Sequence, residues 1–379
     1  VTRLPVAFYA PLKSPNHPSP SGDRAMARLL LKALEEAGFR PDLASELRTL
    51  DRDGNAGPQE EIRTRSDEEA IALIAAYERL PPSERPRLWF TYHVYYKAPD
   101  WIGPRVAEAL GIPYVVAEGS RAQKRADGPW AIGHRGAEEA LDHAGIVFAM
   151  TDHDRKALEA ARPAHQAIVD LPPFLDIAEW GPLSSRPARQ DPRLLAVAMM
   201  RPGDKLASYR ILAEALSRLG DRLWSLDIVG DGEAREEIEA LFAPSGGRVR
   251  FHGQVEDREQ LRALYEEAGL FVWPAVNEAY GMVFLEAQLF GCPVVAGAYG
   301  GVAGVVRDGT SGLLVSPGDP DAFARGIATL LDDPDERSRM GEAARLFVTT
   351  ERSLAHAATR LRDTLMPLVE TGSPSSCGS

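Results

Sequence analysis

Short apolar strands alternate with amphipathic helices along this chain, the alternation stops once, and then it resumes. That rhythm limits the fold to parallel sheets covered by helices on both faces. The strand "LPVAFYA" (4–10) is followed by the loop "PLKSPNHPSPSGD" and by "RAMARLLLKALEEAGF", where Met26, Leu29, Leu30, Ala33, Leu34 and Ala37 recur at helical spacing. Gly38 closes that helix. The pattern then predicts a helix at 67–79, a strand at 87–94, a helix at 100–110, a strand at 113–118, a helix at 134–144 and a strand at 145–150. Between 172 and 193 periodicity is lost over a stretch with five prolines, which reads as a linker. The second series has strands at 193–200, 224–230, 248–253, 269–275, "PVVAG" and 312–316, with helices at 206–219, 233–243, 257–268, 281–290 and 319–332. The expected fold class is therefore α/β, two doubly wound Rossmann-like domains facing across a cleft, with ligands outside the carboxyl ends of the strands.

A length of 379 residues suits two such domains. With 55 Asp and Glu against 43 Lys and Arg, the net charge of -12 excludes a nucleic-acid binder, which needs a basic face. It gives no global attraction to an anionic membrane either, and leaves only peripheral contact through a local basic patch. Cys292 lies in an apolar run and Cys377 in a Ser/Gly tail, the usage of reduced thiols. No apolar run reaches 18 residues, and "VTRLPVAFYAPL" lacks the basic flank and long apolar core of a signal peptide. A cytoplasmic protein is expected.

The stretch "NEAYGMVFLEAQLFGCPVVAG" (277–297) carries the chemistry. Glu278 falls at the carboxyl edge of a strand, and Glu286 lies in the following helix, leaning back toward its start. Between them the N–H groups of Gly281, Met282 and Val283 open the helix unpaired, with about half a unit of positive charge to offer an anion. An anion flanked by two acids describes a nucleotide-sugar: phosphate in the middle, hydroxyl-bearing groups on both sides. The competing account is that Glu278 caps the helix and Glu286 is salt-bridged. Asp-x-Asp occurs at 51, 152, 319 and 333, too short a pattern in an acidic chain to imply a metal.

Glu278 and Glu286, with "YG" before the helix and "GCPVVAGAYGGVAGVVRDGTSGLLVSPGD" after it, resemble the signature of retaining glycosyltransferases of family 4, which have the GT-B fold. The resemblance implies an acceptor-side domain at 1–175, a linker at 176–192, a donor-binding domain at 193–345, helices at 346–370 crossing back to the first domain, and a disordered tail at 371–379. It implies that Glu286 binds ribose hydroxyls, that Glu278 contacts the transferred sugar, and that Gly281, Met282 and Val283 give backbone donors. Arg201 and Lys205, in "MMRPGDKLASY", match the basic pair that grips the diphosphate, although the glycine that often follows the lysine is Leu206 here. Gly230 in "LDIVGDG" would let backbone approach the nucleotide, with a tight turn as the alternative, and Gln254 and Val255 would line the base pocket.

On the acceptor side, Gly22 and Asp23 match the family's glycine-bearing loop, reduced to Ser21 and Gly22, with N-capping as the other role for Asp23. The family's histidine position holds Glu118, and His93 at the end of "LWFTYH" is the nearest histidine. Arg121, with Lys124 and Arg125, is a basic cluster for an anionic acceptor or simply a solvated face. The implied reaction moves a sugar from a nucleoside-diphosphate-sugar donor to an unidentified carbohydrate or lipid-linked acceptor, with no cofactor and no obligatory metal. A non-catalytic sugar-nucleotide binder and a GT-B-fold epimerase remain as alternatives. A nicotinamide oxidoreductase would need G-x-G-x-x-G after the first strand, where "APLKSPNHPSPSGD" stands.

Overall fold

A computed structural model describes residues 3–19, 21–183 and 193–371. The end of the expected linker, the expected tail from 372 and Cys377 lie outside the described residues. The chain divides into two compact units, one running to Pro172 and taking up the chain again at Leu354, the other Pro173–Ser353. The boundaries thus fall at 172 and 353 against the 175 and 345 expected.

The first unit runs β1 (Leu4–Tyr9), α1 (Gly22–Glu36), β2 (Phe39–Ser45), α2 (Ala56–Arg79), β3 (Trp89–Val94), α3 (Gly103–Leu110), β4 (Tyr114–Gly119), α4 (Ala131–His143), β5 (Ile146–Ala149), α5 (Asp152–Ala161) and β6 (Ala167–Asp170). Its six strands are parallel in the order β2-β1-β3-β4-β5-β6. The chain reverses direction between β1 and β3, so the loops after these strands open the crevice of a doubly wound sheet. Helix α1 starts because Ser21 accepts a hydrogen bond from the Arg24 N–H, and it seats Met26, Ala27, Leu30, Ala33 and Leu34 on the sheet. The core strands are apolar on both faces, as burial under helices on both sides demands.

The second unit runs β7 (Arg193–Val197), α6 (Asp204–Ser217), β8 (Ser225–Val229), α7 (Arg235–Phe242), β9 (Val249–Gly253), α8 (Arg258–Glu267), β10 (Leu270–Trp273), α9 (Met282–Leu289), β11 (Val294–Gly297), α10 (Val302–Val305), β12 (Gly312–Val315), α11 (Pro320–Asp332) and α12 (Pro334–Glu351). Its parallel sheet has the order β12-β11-β10-β7-β8-β9, with the reversal between β7 and β10. The Tyr209 hydroxyl of α6 donates to the Ala198 carbonyl, and its ring meets Trp273 edge-on at 4.9 Å, tying α6 across both strands. The last helix, α13 (Leu354–Thr371), packs in the first unit, where Arg362 donates to the carbonyls of Glu36 and Ala37 at the end of α1.

Four elements were not expected: β2, α5, β6 and the short α10. Both strands are sheet edges; β2 contains Pro41 and Asp42, and β6 has only Ile168 and Val169 in its middle, so neither shows a buried apolar run. Helix α2 begins at 56, not 67, and the expected 346–370 helical segment is split between α12 and α13. Helix α6 begins at Asp204 and buries Leu206 in its first turn, so the residue replacing the family's glycine serves the core.

Gly230 occupies φ 144°, and a β-carbon there would stand 1.9 Å from the Ala198 carbonyl oxygen. The backbone leaving β7 by itself requires a glycine here. Gly230→Ala is expected to lower stability by at least about 2 kcal/mol in urea unfolding. An unchanged midpoint would show that this loop pair is not tightly packed.

Candidate active site

In the second unit, the loops after β7 and β10 meet. Lys205, in the first turn of α6, places Nζ 2.5 Å from Glu278 Oε2 and 5.7 Å from the centre of the Trp273 ring. The Asn277 amide donates to Asp204 at 2.9 Å, and the Val276 N–H donates to the Ser208 hydroxyl at 3.0 Å. From the other side the Gly301 N–H donates to the Ala279 carbonyl at 2.7 Å. The loop so held is strained: Ala275 and Asn277 sit at φ 62° and 50°, a region that residues with a side chain seldom adopt. Gly281, at φ 74°, precedes α9 without a side-chain cap, and the N–H groups of Gly281, Met282 and Val283 have no hydrogen-bond partner among the described residues. Arg201 is exposed and has no ion pair among the described residues.

Glu286 has a different neighbourhood from Glu278. It is half-buried, and its Oε2 accepts from the Tyr265 hydroxyl at 2.7 Å. Burial raises its pKa, and the Tyr265 hydrogen bond and the charge of Arg258 offset this only in part. Val283 is half-buried as well, and the buried face of α9 is Phe284, Leu285, Ala287, Gln288 and Leu289. The Gln288 amide inside it donates to the carbonyls of Phe284 and Val305. Gln254 is exposed and donates to Glu256, and Val255 beside it is half-buried.

In the first unit, three residues from separate elements come together at the carboxyl ends of β1, β3 and β4, Asp23 at the start of α1 and His93 and Glu118 near the ends of β3 and β4. His93 Nδ1 lies 3.2 Å from Asp23 Oδ1 and 3.7 Å from Glu118 Oε1. Both His93 (φ 64°) and Glu118 (φ 62°) have left-handed backbones at their strand ends. Burial alone would lower the His93 pKa, but the charge of Glu118, the hydrogen bond to Asp23 and the charge of Asp23 outweigh it and raise the value to about 9. For Asp23 burial acts upward, yet the hydrogen bond and charge of His93 hold it below the usual carboxylate range. Burial pushes Glu118 up. The site therefore holds an imidazolium between two acids at neutral pH.

Residues 197–347 match the family model described as glycosyl transferases group 1. This segment belongs to that family. Stretches of the chain are also similar to the D-inositol 3-phosphate glycosyltransferase of Streptomyces griseus, 42% identical over 118 residues, and to that of Corynebacterium efficiens, 45% identical over 101 residues. These stretches make up 30% and 27% of this chain and span only 25% and 23% of those relatives. Over 97% of its length the chain is similar in fold to all of a sucrose-phosphate synthase structure from Thermosynechococcus elongatus, with a TM-score of 0.71 and 19% identity. It is likewise similar over 96% of its length to all of the Anabaena HepE structure in complex with UDP, with a TM-score of 0.72 and 16% identity. The architecture is the two-unit α/β fold of GT-B glycosyltransferases.

Within this glycosyltransferase frame, several expected residues take other places. Gly230 faces the Ala198 carbonyl. Arg121 is neither free nor solvated: only 4% of its side chain is exposed, and it pairs with Glu138 at 2.5 Å and Asp142 at 2.6 Å on α4. Gly22 begins α1 with open space around it, and Ser21, not Asp23, caps the helix. That frees Asp23 to meet His93. Sequence reasoning singled out Asp23, His93 and Glu118 separately but gave no sign that they meet. It missed Trp273 beneath Lys205 and Tyr265 beside Glu286, both of which look like ordinary core aromatics in the sequence.

A histidine whose native pKa lies above its unfolded value of about 6.5 stabilises the fold fully below pH 6.5. That contribution is lost as pH rises through about 9. Urea unfolding across this window should show the native protein losing on the order of 2–3 kcal/mol relative to His93→Gln, the two curves running parallel above the window. A difference independent of pH would contradict the assignment of an imidazolium.

Proposed function

We propose that this protein is a retaining glycosyltransferase that moves a sugar from a nucleoside-diphosphate-sugar to an acceptor hydroxyl. The observation that carries the reading is the meeting of Lys205 and Glu278 where β7 and β10 diverge, on the loop that also carries Arg201, which has no ion pair among the described residues, and next in sequence to the open amides of Gly281, Met282 and Val283. Two cations and a helix start suit a diphosphate, whose charge grows as it leaves. Glu278 would accept from hydroxyls of the transferred sugar, and Glu286, positioned by Tyr265, from the ribose. Gln254 and Val255 would line the base.

In the proposed reaction the acceptor oxygen bonds to the anomeric carbon on the face the diphosphate leaves. The bond from that carbon to the phosphate oxygen breaks, and the acceptor proton passes to the departing phosphate. No side-chain base, cofactor or metal is then required of the protein. The acceptor is a carbohydrate or a lipid-linked one, with Asp23, His93 and Glu118 as acceptor-side residues. Among the described residues no helix is long and apolar enough to cross a membrane, and we place the reaction in the cytoplasm.

Uridine diphosphate is the first nucleotide to test, because HepE structures similar in fold carry UDP and UDP-glucose. In thermal-shift measurements one of the uridine, guanosine, adenosine or thymidine diphosphates should raise Tm. Glu286→Ala should abolish that rise, and Arg201→Ala should lower kcat by roughly two to three orders of magnitude. No shift with any diphosphate would contradict the reading, and binding without transfer or donor hydrolysis would favour a non-catalytic binder.

A further inference from the structure

The stretch read from the sequence as a linker is not a plain spacer over its described residues. Its Leu175 N–H donates to the Arg352 carbonyl at 2.8 Å, and Asp176 opens a single helical turn, Ile177–Trp180, by accepting from the Ala178 N–H. That turn is clamped on α8. Arg258 forms an ion pair with Glu179 and places its guanidinium 5.3 Å from the centre of the Trp180 ring. One turn further along α8, Arg262 donates to the carbonyls of Trp180 and Pro182 at 2.9 and 2.7 Å. Gly181 lies between them at φ 70°, and a β-carbon there would stand 2.9 Å from Arg262 Nη1. Residues 258 and 262 share a helix face, so both arginines act on the one short segment.

The clamp carries Trp180 into the core, where it is 7% exposed. Its ring meets Phe290 at 5.4 Å and Tyr265 at 5.8 Å, both steeply inclined to it, while Tyr265 and Phe290 stack at 5.9 Å with 8° between their planes. Tyr265 is fully buried and held by these rings, which fixes the direction of its hydroxyl. The hydroxyl donates to Glu286 Oε2 at 2.7 Å. Burial, with the charge and hydrogen bond of Glu286, raises the Tyr265 pKa well above its ordinary value, so the hydroxyl stays a donor. Glu286 Oε1 takes no hydrogen bond among the described residues. One oxygen of the carboxylate is thus fixed and the other is left for a ligand.

A glutamate side chain has several free torsions, and holding its carboxylate in place before a ligand arrives removes an ordering cost from binding. We infer that Trp180 and Tyr265 are positioning residues for selection of ribose over deoxyribose: the docked segment fixes Tyr265, Tyr265 fixes the Glu286 carboxylate, and the remaining oxygen accepts from a ribose hydroxyl. This rests on the reading of Glu286 as the acid that meets the ribose. It goes beyond that reading by tying sugar selectivity to a residue in the stretch that leads in from the first unit. Arg258 contributes twice, because it stacks on Trp180 and its charge also favours the ionised form of Glu286.

Uridine, guanosine and adenosine diphosphates are each compared by calorimetry on the full chain with their 2′-deoxy and 3′-deoxy counterparts. The native protein should bind one ribonucleotide about tenfold more tightly than at least one of its deoxy counterparts. In Tyr265→Phe that preference should fall to about threefold or less, through weaker ribonucleotide binding at unchanged deoxynucleotide affinity. Trp180→Leu should act in the same way, and Trp180→Phe should restore the preference. An unchanged deoxynucleotide affinity also shows that each variant is folded with its phosphate contacts intact. A full ribose preference in Tyr265→Phe or Trp180→Leu would overturn the inference and leave the donor reading standing. Equal loss of both nucleotides in these variants would overturn it as well, because the residues would then serve the fold alone. Should the native protein bind no ribonucleotide, or bind one without preferring ribose, the reading of Glu286 itself fails and takes the inference with it.

Discussion

The contact between Lys205 and Glu278 depends on a topological fact: β7 and β10 are neighbours although more than seventy residues separate them. The chain leaves β7 toward β8 and returns past β7 to β10, so the loops at their carboxyl ends open into one crevice. Everything nearby keeps those loops in register. Asp204 and Ser208 hold the loop after β10 through Asn277 and Val276, and the 297–301 turn closes on it from the opposite side. Strained backbone at Ala275 and Asn277 is tolerated because these bonds over-determine it. The outcome is a lysine paired with a carboxylate, four residues after an arginine that has no ion pair among the described residues.

The first unit repeats the device with different residues. Its reversal lies between β1 and β3, and there Asp23 and His93 meet, with Glu118 from the adjoining β4. Left-handed backbone at His93 and Glu118 turns their side chains out of the regular pleat toward one another. Buried imidazole would ordinarily stay neutral, and two acids at under 4 Å reverse that outcome. The same rule, reversal then convergence, explains why both units gather charge at the same end of their sheets.

The architecture was legible because it rests on periodicity, which every buried strand and amphipathic helix must display. Its edges were not: β2 and β6 carry too few buried apolar residues to differ from loops. At the site, residue types were legible and partners were not. Glycine at 230 was visible, but the reason for it, the Ala198 carbonyl, lies just past the end of β7, far off in the sequence. Arg121 reads as a free cation until α4 brings Glu138 and Asp142 to it, whereas Arg125, similar in sequence context, meets only rings among the described residues. Long-range pairing decides which charges are spent on the fold and which remain for a ligand.

In the proposed function Lys205, paired with Glu278 in the free protein, turns to the diphosphate when the donor binds. The most direct test compares affinities of a nucleoside diphosphate and its sugar conjugate in Glu278→Gln, Lys205→Met and the double variant. Removing the carboxylate should tighten the bare diphosphate, because the lysine loses its competitor, while erasing any added affinity for the attached sugar. The tightening should vanish when Lys205 is also replaced. Weaker binding of both ligands to Glu278→Gln, or a tightening that survives without the lysine, would contradict it.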